Sequence, residues 1–144
     1  MSYFYDQAQK FLQMASDLEE RLVNEGSSLD PATYASLDRR REDLQDQADD
    51  MVDADLKGTL SGLKIDEARL SQCTTDLQNA IKTVQRFDKI AAIAAAGVTL
   101  AMAVVSADPG KIFDALAGAE KALADAVPQI KAIADKLNPT ASGS

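Results

Sequence analysis

The run from Ile90 to Ala107, IAAIAAAGVTLAMAVVSA, has no charged side chain and is apolar all the way round. A helix of this kind cannot rest on a surface with one face in water. It is the buried centre of a bundle, part of a partner interface, or a segment that enters a bilayer. Its 18 residues lie at the lower limit for a bilayer span. Its many alanines make transfer into lipid less favourable than for a Leu/Ile helix of equal length. Ile90, Ile93, Val98, Leu100, Val104 and Val105 are the bulky groups that a membrane would meet.

The rest of the chain has to supply neighbours for this run, and its spacing is helical. Phe4, Ala8, Phe11, Ala15, Leu18 and Leu22 recur at alternating steps of four and three, the seam of a packed bundle, as far as Gly26-Ser27-Ser28. Asp30-Pro31 then opens a second helix, with Asp as N-cap and Pro at the first helical position. Tyr34, Leu37, Leu44, Ala48 and Met51 carry its seam, which weakens where Arg41 and Asp55 take seam positions. The phase breaks at Leu56, and Gly58 and Gly62 follow, so a turn or kink is expected within 53–62, with one continuous helix through the region as the alternative.

Beyond it, Leu56, Leu63, Leu70, Leu77, Val84, Ala91, Val98 and Val105 repeat every seven residues. The repeat predicts one long third helix from about residue 59 to 107, roughly 70 Å at 1.5 Å per residue. Asp108-Pro109 opens a fourth helix with the stripe Phe113, Leu116, Leu123, Val127, Ile130, Ala134 and Leu137, kinked at Pro128 and stopped by Asn138-Pro139. The tight corners at 26–30 and 106–109 imply antiparallel neighbours. The expected fold is all-α: an elongated antiparallel four-helix bundle with one long central helix and a C-terminal helical hairpin. Residues 1–138 form a single domain and 139–144 a flexible tail.

The order of a long amphipathic helix, an apolar stretch, a short turn and a returning helix, over residues 59–137, resembles the soluble helical toxins that hide a hydrophobic hairpin. The resemblance is one of architecture and rests on no diagnostic motif. This chain is far shorter, and its hairpin has one apolar arm. Helix four carries Asp114, Glu120, Lys121 and Asp125 and is not suited to span a membrane beside the apolar run.

Histidine is absent from the sequence. That removes the commonest general base, the commonest metal ligand, every Ser-His or Cys-His pair and the Glu-x-x-His pattern of di-iron bundles. The expectation is a protein that is not an enzyme and holds no cofactor or metal. Cys73, the lone cysteine, lies mid-helix with no histidine to activate it and reads as a passive thiol.

Charge is uneven. Residues 1–56 hold five basic and fourteen acidic side chains, whereas 57–144 hold ten basic and nine acidic. The acidity argues against nucleic acid and favours a basic protein partner. It concentrates in 42–55, where Asp46, Asp49, Asp50 and Asp53 fall at i, i+3, i+4 and i+7 and share one helix face. This face reads as solvated, as a docking surface for a basic partner, or as a weak site for a hard divalent cation. The segment from Asp53 echoes the start of an EF-hand loop, but Lys57 and Lys64 stand where oxygen ligands are required. Arg39-Arg40-Arg41 is expected to pair with Asp38, Glu42 and Asp43 at the surface.

These features point to an interaction protein of the adaptor, chaperone or toxin-neutralising type, binding a basic or helical partner protein through helix faces. Asp46, Asp49, Asp50 and Asp53 would steer the partner. The seam Leu63, Leu70 and Leu77 would add apolar contact if left uncovered. The alternatives are a membrane-active or pore-forming component using 90–107, and a structural subunit of a self-associating helical assembly. The N-terminus has no basic region followed by an apolar one and is not a signal peptide. A cytoplasmic location is expected, with export by a route lacking a cleaved signal as the other course.

Overall fold

The computed structural model describes residues 3–126 and contains, among them, five α-helices joined by short connections. They are α1 (Tyr3–Glu25), α2 (Pro31–Leu56), α3 (Glu67–Thr83), α4 (Phe87–Val105) and α5 (Pro109–Ala126), with a single 3-10 turn at Gly26–Ser28. The all-α bundle follows the hydrophobic spacing. The long third helix does not: residues 84–86 divide it into α3 and α4. The expected kink at Pro128, the stop at Asn138-Pro139 and the tail 139–144 lie outside the described residues.

The corner between α1 and α2 forms where its residue types place it. Asp30 is extended and its carboxylate accepts the Thr33 N–H at 2.7 Å, capping α2 with Pro31 at the first helical position. Gly26 is buried against Tyr34, whose ring leaves no room for a Cβ there.

Helix directions follow from the cross-contacts. Tyr3 Oη donates to the Glu67 carbonyl at 2.6 Å, Lys10 Nζ reaches Thr75 Oγ1 at 3.1 Å, and Arg21 Nη1 reaches the Ile81 carbonyl at 2.9 Å. Both helices ascend together, so α1 and α3 are parallel. Arg21 also lies 5.4 Å from the centroid of the Phe87 ring, while Met14 borders Gly97, so α4 runs against α1 and therefore along α2. The helices α1, α2, α4 and α3 form a ring in that order, with α2 and α3 at opposite corners, and α5 lies on α3 and α4.

Residues 57–66 cross the end of this ring to join the diagonal pair α2 and α3. Gly58 and Gly62 take φ values of +78° and +76° in that crossover, a region that glycine enters without steric cost. Leu60 between them is buried and plugs the end of the core. Leu63 is half-buried in the same connection and belongs to no helix.

The break at 84–86 has no glycine or proline to announce it. Val84 and Arg86 are extended, at φ/ψ of −67°/132° and −84°/121°. The last carbonyls of a helix need donors, and Arg21 from α1 supplies them: its guanidinium binds the Ile81 and Lys82 carbonyls at 2.9 and 3.1 Å. A straight helix would carry the apolar run past the end of its neighbours. Folding back at 84–86 brings it between α2, α3 and α5. Burial therefore outweighs the continuous heptad.

Candidate interaction surfaces

The apolar run is the core strip of α4. Ile90, Ile93, Leu100 and Val104 are completely buried, Val98 nearly so, and Val105 half-buried. By length and composition alone α4 is able to cross a membrane, and half of its most apolar window is buried in the bundle. Beyond Asp88 and Lys89 its remaining face is uncharged: Ala92, Ala95, Ala96, Thr99 and Met102 turn outward, fully or in part, beside α5.

The heptad seam offers no partner surface along α3. Leu70 and Leu77 are fully buried, because α1 and α5 cover them on either side, and Leu63 has left the helix for the crossover. On α5 the buried stripe is Ile112, Ala115, Leu116 and Ala119. Phe113, expected in that stripe, is instead 60% exposed and lies beneath Arg69, whose guanidinium carbon is 5.1 Å from the ring centroid. Arg69 also donates to Glu120 through Nε at 2.9 Å and through Nη2 at 2.5 Å, tying α5 to α3. The hydrogen bond from Arg69 holds the Glu120 carboxyl below its usual range, and the same bond raises the guanidinium.

On α2 the four aspartates stand where their spacing puts them. Asp46, Asp49, Asp50 and Asp53 are all exposed along one side of the helix. Asp53 meets Lys57 at 3.5 Å. Among the described residues Asp46, Asp49 and Asp50 take part in no ion pair. The arginine run pairs locally as expected: Arg41 with Asp38 at 2.8 Å and with Glu42 at 3.6 Å, and Arg40 with Asp43 at 3.7 Å. Among the described residues no three acidic or cysteine side chains gather closely enough to hold a metal ion.

Cys73 is buried on α3. Burial, reinforced by the nearby Glu120 and Asp76 carboxylates, pushes its thiol up to about 12, so it is protonated at neutral pH and a poor nucleophile.

Two features that sequence spacing missed shape the bundle. One is Arg21, which caps α3. The other is a polar chain between α1 and α3. Thr74 Oγ1 lies 2.8 Å from Gln7 Oε1, Gln7 Nε2 donates to Ser71 Oγ at 3.0 Å, and Ser71 Oγ donates to Tyr3 Oη at 3.2 Å. Gln7 and Thr74 are both buried. Thr74 stands four residues after Leu70 and three before Leu77, a seam position, and that polar interruption is the one signal the sequence carries for the chain. Comparison with protein-family models, with curated proteins and with solved structures finds no match to this chain.

Proposed function

We propose that this protein is a non-enzymatic interaction module that binds a basic partner protein through the outward face of α2. The observation that carries the reading is the row of exposed aspartates 46, 49, 50 and 53, three of which have no ion pair among the described residues. Like charges at these spacings disfavour a helix by a few tenths of a kcal/mol per pair, and a cationic partner relieves that repulsion. The row also raises the rate of encounter with a positive surface, an effect that weakens with salt. The adaptor, chaperone and toxin-neutralising roles all use such a surface, and the partner's identity separates them.

The test replaces Asp46, Asp49, Asp50 and Asp53 by lysine. All four are exposed, so the bundle folds with unchanged helicity. Proteins captured by the natural chain at low salt are expected to be lost by the variant, and to be released from the natural chain as salt rises. Capture that is the same for both proteins removes the acidic face from consideration.

A further inference from the structure

The α4–α5 face presents a groove of about 760 Å³, lined by small residues of both helices, including Ala95, Ala96 and Thr99 on α4 and Gly118 and Ala122 on α5. Gly118 stands in mid-helix with nothing within 4 Å of where its Cβ would be. Glycine is among the poorest helix formers, and no neighbour within the described chain requires it there. It leaves room for the backbone of another helix.

The charges around Gly118 say which helix. Lys111, Asp114, Lys121 and Asp125 are exposed, lie on the same side of α5 as Gly118, and form no ion pair among the described residues. Their order along α5 is positive, negative, positive, negative. Rotate a second copy by a two-fold axis beside Gly118, and position 111 meets 125 while 114 comes within one residue of 121. Every cation then faces an anion. A face that complements itself under a two-fold is the requirement for an isologous dimer.

We infer that the protein pairs with a second copy of itself, α5 against α5 antiparallel, crossing at Gly118. The small side chains let the helix axes approach to about 8 Å. Met102, 53% exposed on α4, then covers the small residues at the far end of the partner's groove. The α2 face stays free, because α2 packs on α1 and α4 on the side away from α5. The dimer would carry two acidic faces, and its existence does not depend on what those faces bind.

Sedimentation equilibrium of the full chain over a concentration series tests this. The natural protein is expected to rise from 15.4 kDa towards twice that mass. Gly118→Leu points into open space in the monomer and replaces a poor helix former, so helicity is kept or raised while association weakens about tenfold or more. Lys111→Asp places two acids opposite each other and weakens association by about tenfold. Adding Asp125→Lys to that variant restores it. A natural protein that stays monomeric throughout overturns the inference. So does a dimer indifferent to Gly118→Leu, or a charge swap that fails to restore pairing. The α2 charge-reversal variant is expected to dimerise normally, which separates this outcome from that of the partner test.

Discussion

The two parallel helix pairs of the bundle are built from different materials. Every buried residue of α2 and of α4 is apolar, and the two meet at Gly97, where an added Cβ would stand 3.3 Å from Leu44 Cδ2 and 3.5 Å from Met14 Sδ. Between α1 and α3 runs the polar chain of Tyr3, Gln7, Ser71 and Thr74, with Arg21 closing its upper end. Apolar contact is non-directional and supplies most of the driving force for folding. Hydrogen bonds contribute little net energy but strongly penalise a slipped register, which leaves buried groups without partners. One side of this bundle holds, and the other aligns.

The largest effect is expected on the apolar side. Leu44→Ala removes a fully buried side chain beside Gly97, and denaturant titration should show a loss of about 2–5 kcal/mol. Arg21→Met on the polar side keeps the stem but strips two carbonyls at the end of α3 of their donor. A loss of about 1–3 kcal/mol follows, and fraying should appear as faster amide exchange near residues 82–86. Arg21→Lys should restore the protein only in part: an ammonium can donate to both carbonyls, which one Nη1 serves here, but it loses the Nε bond to Glu25 and the planar face against Phe87.

Thr74→Val should cost about 1–2 kcal/mol by leaving the buried Gln7 Oε1 without its donor. Gln7→Leu added to it should recover part of that loss, because the buried oxygen leaves with its donor, while Ser71 Oγ loses the Gln7 N–H and keeps Tyr3. If the double variant is more stable than Thr74→Val but its α1–α3 register becomes mixed, by spin-label distances, the aligning role of the chain stands. A double variant with a single, natural register would assign alignment to shape alone.

A fourth expectation concerns α3 itself. Cys73, with its thiol pushed up to about 12, should resist thiol reagents at pH 8 and react at the rate of a free cysteine once the bundle is unfolded.

The smallest effect belongs to the Arg69–Glu120 tie. The Glu120 carboxyl titrates lower in the folded protein than in the unfolded chain. Its contribution is therefore complete above the ordinary glutamate range and is lost as pH falls through the lowered folded value. Glu120→Gln should flatten the acid limb of the stability profile slightly and leave stability near neutral pH almost unchanged, since the pair is solvent-exposed.

The outline of the bundle was legible because local rules govern it. Asp30-Pro31 and Asp108-Pro109 begin α2 and α5 at the expected places, and Asp108 Oδ1 accepts the Gly110 N–H at 3.0 Å. The aspartates of α2 share a face because an exposed helix obeys its own period and nothing else. The corner at 84–86 was hidden, because what fixes it is Arg21, some 60 residues away in sequence, together with the burial of α4. The seam of the expected third helix misled for the same reason. Leu63, Leu70 and Leu77 offer apolar contact only if left uncovered, but whether a helix face is covered depends on α1 and α5, and heptad spacing carries no information about which neighbour arrives.

The crossover that places α3 and α4 after the α1–α2 hairpin has a consequence for synthesis. The hairpin leaves the ribosome first, with the side of Leu44 and Met51 that belongs to α4 still bare. The complementary surface is complete only when Val105 has been added, 49 residues after Leu56. At translation rates of about 5–20 residues per second, that is an interval of roughly 2–10 s. For that time the nascent chain displays an apolar strip beside a row of aspartates, whose like charge repels a second copy of the same segment.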